Sequence, residues 1–70
     1  MEMSARNQLR GTVKALKQGG VMAEVIVALP GGQQITSVIT VDAVQALNLH
    51  EGDQVTAIIK STEVMIGKDA

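Results

Sequence analysis

The chain of 70 residues contains no cysteine, no aromatic residue, one proline and one histidine. Without cysteine it can form neither a disulfide nor a thiolate metal site, and a single histidine is too few for a closed zinc site. We therefore expect no metal cation bound directly by the protein. A domain of this size buries only about 60% of the surface of its unfolded chain. With these stabilisers absent, we expect the chain to assemble as an oligomer.

Strong net charge and long apolar segments are also absent. The net charge of −1 gives no overall positive field that would attract nucleic acid or a membrane surface. No apolar run approaches the ~18 residues of a transmembrane helix. The first six residues lack the apolar core of a signal peptide. These absences predict a cytoplasmic protein that does not associate with membranes.

Acid and base side chains are scattered rather than paired. Glu24 lies in a mostly apolar segment, whereas Asp42, Glu51 and Asp53 fall in a cap and a turn. His50 lies in a loop, where we expect it to be exposed. A general base needs an oriented partner within hydrogen-bond distance, and the sequence offers none. We therefore predict that the protein is not an enzyme.

The apolar residues are all aliphatic, which favours β-strands. Alternation predicts a first strand over Asn7–Lys17 that ends at a Gly19–Gly20 turn, where glycines can adopt positive φ. Leu16 interrupts the alternation. The residues expected on one face of this strand are Leu9, Gly11, Val13 and Ala15.

A second strand is predicted over Val21–Leu29, where Glu24 is the one charged residue. Such a continuous run suggests burial on both faces, by the core and by another subunit. The turn Pro30–Gly32 follows and leads into a third strand, Gln33–Thr40. These two strands therefore form a predicted hairpin.

One short helix is predicted after the third strand, because Val41, Val44 and Leu47 recur at three-residue spacing. Its N-cap is either Asp42, with Gln45 completing a capping box, or Thr40. After a turn at residues 51–53, alternation predicts a fourth strand over residues 54–61 and a short fifth strand over residues 64–66. Five strands with a helix between the third and fourth match a small OB-like barrel. The predicted class is all-β, with residues 1–70 forming one domain.

Hydrogen-bond donors are concentrated near the two ends of the chain, in Ser4–Asn7 and Lys60–Thr62, with Thr40 between them. The Gly19–Gly20 turn adds backbone N–H groups that can form an anion-binding nest. The same residues also fit solvated strand ends and a plain hairpin turn. OB-folds that bind single-stranded nucleic acid stack bases on aromatic side chains along a basic groove. Because this chain has neither feature, we predict no nucleic-acid partner.

Several separated motifs resemble the molbindin (Mop) family across essentially the whole chain. They are Ser4-Ala5-Arg6-Asn7-Gln8-Leu9-Arg10-Gly11, Ala23-Glu24-Val25, Ile35-Thr36-Ser37-Val38-Ile39-Thr40, Glu51-Gly52 and the closing stretch from Ala57 to Ile66. The resemblance implies an OB-like barrel assembled as a hexamer, a trimer of dimers, without an organic cofactor. It implies storage and homeostasis of molybdate or tungstate, held between subunits. The Mop domain also occurs as a module in molybdate-responsive regulators and transporter ATPase subunits. Since no additional domain is evident, we expect similarity to the free-standing storage form.

The resemblance also implies which residues bind the oxyanion. Near the helix some family members place a further serine, where this chain has Ala43. The resemblance implies a second class of pocket around the symmetry axis, to which we assign Gly19, Gly20 and Val21 because the glycine turn offers free backbone N–H groups. An alternative function is an oligomeric regulatory or scaffolding module in which the anion is only structural. The main site implied by the resemblance comprises Ser4, Ala5, Arg6, Lys60 and Ser61, with Thr40 from a neighbouring subunit. Asn7 is added to this site as the adjacent hydrogen-bond donor.

Overall fold

The computed structural model describes residues 2–69, which form one antiparallel sheet and two short helical segments. The elements are β1 (Asn7–Gln18), β2 (Met22–Ala28), β3 (Gln34–Thr40), α1 (Val41–Ala46), β4 (Gln54–Ile59) and a 3₁₀ turn (Ser61–Glu63). The predicted hairpin of the second and third strands is confirmed, as is the helix between the third and fourth strands. Neither helical segment in this part of the chain is long and apolar enough to cross a membrane. Neighbouring strands in the sheet follow the order β3-β2-β1-β4.

Strand β1 is shared between two partners, which curls the sheet. Its first half, from Asn7 to Thr12, pairs with β4, and its second half, from Thr12 to Gln18, pairs with β2. At the change of partner, Gly11 lets β2 approach closely: a Cβ on Gly11 would lie only 2.6 Å from the Ala28 carbonyl oxygen. Glycine within a strand often marks such a corner. The sheet therefore bends into a half-barrel.

A β-bulge follows this corner and changes which residues face the core. The register shifts between Val13 and Ala15, so Lys14 is the extra residue. The prediction that Ala15 shares a face with Val13 is wrong, because the bulge places Ala15 opposite Ile26 on the outer face. Leu16, whose apolar side chain interrupted the alternation, packs against the core instead.

The core lies on the inner face of the curled sheet. Val44 of α1 is buried there against the valines and alanine of β1 and β2. In β2 the inward-facing side chains are buried, whereas those facing outward are half-buried within the single chain except for Met22, which is exposed. The fully buried residues are Val13, Ala23, Val25, Val27 and Val44.

Thr40 begins the helix. Its Oγ1 accepts a hydrogen bond from the Ala43 backbone N–H at 3.0 Å. Of the two predicted N-caps, Thr40 is therefore correct, and the capping box at Asp42 is wrong. After α1 the backbone turns sharply at Asn48, which has a φ of 51°.

The turn at Gly19–Gly20 differs from its prediction. Within the described chain, the glycines with positive φ are those at 31, 32 and 52, and neither Gly19 nor Gly20 is among them. Instead, the Gly19 N–H donates to the Met22 carbonyl at 2.8 Å. This bond closes the β1–β2 hairpin without the left-handed conformation that we expected.

The predicted fifth strand is absent from the described chain. Strand β4 ends at Ile59, and the 3₁₀ turn redirects the backbone before Val64–Ile66. Strand hydrogen bonds require a neighbouring backbone, and no strand of the described chain lies beside this segment. Met65 and Ile66 are 92% and 89% exposed. The four-stranded sheet keeps two unpaired edges, at β3 and β4, so the single chain forms a half-barrel rather than a closed five-stranded barrel.

Candidate functional site

Antiparallel pairing of β1 with β4 brings the two donor clusters side by side. Asn7 is the Cα partner of Ile59, so the residues before β1 lie beside those after β4. Together they line one open pocket of about 440 Å³. Its lining residues are Ser4, Ala5, Arg6, Ile58, Lys60, Ser61 and Thr62.

The pocket contains donors and positive charge. It combines the guanidinium of Arg6 and the ammonium of Lys60 with three hydroxyl groups, and no carboxylate of the described chain lines it. Both cationic residues are exposed. A unit charge pair at 4 Å is worth only about 1 kcal/mol in water but about 4 kcal/mol near a protein surface. The chemistry of this pocket suits an anion, and partial enclosure would strengthen the attraction.

Backbone carbonyls of the lining residues are engaged by the protein itself. The Gln8 Nε2 group donates to the Ala5 carbonyl at 2.6 Å. In the 3₁₀ turn, the Glu63 N–H donates to the Lys60 carbonyl at 2.9 Å, and the Val64 N–H donates to the Ser61 carbonyl. These bonds restrain the backbone on both sides of the pocket and engage the carbonyls of three of its lining residues.

At two residues the lining of the pocket differs from the site predicted from the sequence. Asn7, a predicted site residue, is half-buried in β1 and does not line the pocket. Ile58 was not predicted as a site residue, but it forms part of the wall. One feature of the sequence could have indicated Ile58: it is apolar at a position where the alternation of β4 predicts a polar residue.

The remaining predicted site residues lie at the opposite end of β1. Thr40 pairs with Met22, next to the pair formed by Ala23 and Gln18. Since twelve strand residues rise about 3.3 Å each, the path along β1 from Arg6 to this end is roughly 40 Å. The Val41 N–H donates to the Val21 carbonyl at 2.8 Å, which ties the β1–β2 turn to the start of α1. One chain therefore does not join Thr40, or residues 19–21, to the pocket.

A second concavity lies on the inner face between the unpaired edges of β3 and β4. Its volume is about 340 Å³, and no charged side chain of the described residues lines it. The sequence did not predict this groove, since it results from the missing fifth strand. Its apolar lining includes Val25, Val27, Ile39, Leu47, Leu49 and Ile59.

Comparisons with known proteins agree with this architecture. The TOBE domain model matches residues 3–66. Molybdenum-pterin-binding protein 1 of Clostridium pasteurianum is 53% identical over 66 residues, which are 94% of this chain and 97% of that protein. The structure of MopII from Clostridium pasteurianum superimposes with a TM-score of 0.91 at 51% identity, covering 96% of this chain and all of MopII.

A molybdate binding protein from Sporomusa ovata gives the same TM-score of 0.91 at 41% identity, covering 97% of this chain and 100% of that one. The matches thus extend over nearly the entire chain and include the half-barrel, the helix and both donor clusters. The chain belongs to the TOBE domain family and, within it, to the molbindin (Mop) proteins.

Proposed function

We propose that this protein binds molybdate and stores or buffers it in the cytoplasm, as a single domain without catalytic activity. The observation that carries the proposal is the pocket in which Arg6 and Lys60 stand among three hydroxyls with no carboxylate in the described lining. The names of the relatives support the ligand, since they are molybdenum-pterin-binding and molybdate-binding proteins.

The donors of the pocket match the chemistry of molybdate. At neutral pH molybdate is a fully deprotonated dianion, so all its oxygens accept hydrogen bonds. Hydrogen phosphate carries a proton that would face another donor, and such an unpaired contact costs about 1–3 kcal/mol. This penalty corresponds to roughly tenfold discrimination or more. Tungstate has the same charge and no proton, so we expect it to bind too, whereas sulfate must be rejected by size.

A homo-oligomer would complete this site, and we propose the hexamer implied by the family, a trimer of dimers. The pocket is open, and Thr40 lies at the far end of β1 in the same chain. A neighbouring subunit packed head to tail could present its Thr40 hydroxyl to the pocket. Thr40 accepts from Ala43 through Oγ1, which leaves the hydroxyl hydrogen available to the anion.

Exposed apolar surface supports association. Met65 and Ile66 project from a chain whose inner groove is apolar and lies between two unpaired strand edges. Burying an aliphatic side chain contributes about 1.5–3 kcal/mol. A second copy that placed its residues 64–66 in this groove would bury both surfaces and supply the absent strand.

We also propose a second oxyanion site at the β1–β2 turn, with fewer backbone donors than the sequence predicted. The N–H of Gly19 already donates to the Met22 carbonyl. The backbone N–H groups of Gly20 and Val21 are therefore the candidates at this end of the sheet. Because this turn is tied to the start of α1, a site here would also lie beside Thr40.

Calorimetric titration of molybdate into Arg6→Ala and Lys60→Ala variants tests the main site. In water each cation attracts two negative charges by about 1 kcal/mol apiece, so we expect at least tenfold weaker binding in either variant. Lys14→Ala is the matched control, because Lys14 is exposed at the bulge and does not line the pocket. Low ionic strength is needed, since salt screens exposed charges. Unchanged affinity in both pocket variants would show that this site assignment is wrong.

Native mass spectrometry with and without molybdate tests storage and assembly. A store should bind about one exchangeable oxyanion or more per chain, and the mass gives the number of subunits directly. An anion that cannot be exchanged against tungstate would favour the alternative, a scaffolding module with a structural ion.

A further inference from the structure

We propose that Gln8 is a positioning residue that makes the oxyanion pocket selective for fully deprotonated anions. The proposal rests on the proposed function of the same pocket. It starts from the hydrogen bond that the Gln8 side-chain amide donates to the Ala5 carbonyl at 2.6 Å. Ala5 lines the pocket, whereas Gln8 does not. Gln8 therefore acts through the backbone of Ala5 rather than on the anion.

The position of Gln8 suits this role. It is the second residue of β1 and the Cα partner of Ile58, which forms part of the pocket wall. Its side chain reaches back three residues to Ala5, across the point where the irregular segment enters the strand. The bond closes a loop over residues 5–8, so it holds the backbone at Ala5 and Arg6 before the sheet begins. Without it, binding would have to order this segment, and ordering backbone costs free energy.

The selectivity follows from which acceptors the protein occupies. A carbonyl oxygen beside the pocket repels an oxyanion, but it accepts a hydrogen bond from an anion that carries a proton. The carbonyls of Lys60 and Ser61 are engaged by backbone N–H groups of the 3₁₀ turn. The Ala5 carbonyl is instead engaged by the Gln8 side chain, so a single substitution at Gln8 can free it. A freed Ala5 carbonyl would offer hydrogen phosphate the acceptor that the parent pocket withholds.

Three substitutions at position 8 separate the donor from the length and charge of the side chain. Gln8→Met keeps the length and removes the donor. Gln8→Glu keeps the shape but replaces the donor with a charged acceptor. Gln8→Lys restores a donor. Gln34→Met is the matched control, because Gln34 is an exposed glutamine of β3 opposite Ala28, outside the pocket.

The measurements are dissociation constants for molybdate and for phosphate at about pH 8, where phosphate is mostly a dianion with one proton. For Gln8→Met we expect molybdate binding to weaken about three- to tenfold, the usual effect of losing one hydrogen bond. The ratio of phosphate to molybdate dissociation constants should fall by a similar factor. Gln8→Glu should bind both anions still more weakly. Gln8→Lys should recover the parent ratio, because its added charge strengthens the binding of both dianions equally. Gln34→Met should have the same two dissociation constants as the parent.

A purely structural role would lower the urea midpoint without moving this ratio. Retention of the parent ratio by Gln8→Met, or failure of Gln8→Lys to restore it, would overturn the proposal. If the parent itself binds no molybdate, the proposed function fails instead, and the two failures are thereby distinguished. Hydrogen exchange without anion gives a second check: faster exchange of residues 4–8 in Gln8→Met supports the positioning contact, and unchanged exchange contradicts it.

Discussion

Replacing Gly11 by alanine should destabilise the corner on which the half-barrel is built. Gly11 is buried in β1 where the strand changes partner from β4 to β2. An added Cβ would lie 2.6 Å from both the Ala28 carbonyl oxygen and the Val27 Cγ1 atom, and 3.2 Å from Leu29 Cδ2. One close neighbour is backbone and another belongs to a core side chain, so neither can simply swing away.

The expected magnitude follows from the displacement required. Ordinary contact with a Cβ begins at 3.4 Å, so β1 and β2 must separate by most of an ångström at this point. Overpacking a core in this way costs about 1–3 kcal/mol. Alanine restricts the unfolded chain and returns about 0.4–1 kcal/mol. We expect a net loss of about 1–2 kcal/mol, which for a domain of this size corresponds to a fall in Tm of about 4–16 °C.

Urea unfolding at one fixed protein concentration, without oxyanion, measures this loss, because assembly and ligand both shift apparent stability. Gly20→Ala is the control, since no atom lies within 4 Å of its added Cβ and its φ is not positive. Its unfolding free energy should stay within about 0.5 kcal/mol of the parent. If Gly11→Ala is as stable as the Gly20 variant, close approach at Gly11 does not determine the bend.

Two further substitutions test local features by the same unfolding assay. Thr40→Ala should cost about 0.5–2 kcal/mol through loss of the N-cap, whereas Thr40→Ser should retain most of the stability; equal stability of the two variants would refute the capping role. Asn48→Ala should cost about 1 kcal/mol, because Asn48 has a φ of 51° and alanine resists that conformation; Asn48→Gly should be tolerated, and a neutral alanine variant would contradict the strain argument.

The sequence predicted elements wherever side chains repeat along the chain. Alternation located the first and fourth strands, a continuous apolar run located the second, and three-residue spacing located the helix, since each pattern reflects which faces are buried. The bulge at Lys14 escaped prediction because one inserted residue leaves composition unchanged. Leu16 was the sequence signal of the bulge. It is apolar at a position where the alternation expects a residue on the outer face, and one extra residue before it returns it to the inner face. The N-cap stayed ambiguous because Thr40 and Asp42 are both good capping residues.

The fifth strand was mispredicted for a different reason. A short apolar segment such as Val64–Ile66 has the composition of a strand, but strand formation depends on a partner that local sequence does not specify. The candidate site was likewise only partly predictable from local sequence. Donor-rich ends were visible in the sequence, whereas their juxtaposition depends on the antiparallel pairing of β1 with β4. Ile58 and Gln8 were not identified as site residues because their roles arise from that pairing and from a side-chain contact.

The length of β1 has a consequence for how binding and assembly are linked in the proposed function. The pocket lies at one end of this strand and Thr40 at the other. In the proposed oligomer, one subunit would therefore supply the pocket of one complete site and the Thr40 of another. An anion bound to the completed site then stabilises the oligomer by RT ln(1 + [L]/Kd), about 2.7 kcal/mol when free molybdate is one hundred times Kd. Conversely, dilution into subunits would open the pocket to water and weaken the attraction of Arg6 and Lys60 for the anion. Under this linkage, molybdate affinity depends on protein concentration, and the cations at the chain ends act at full strength only within the assembly.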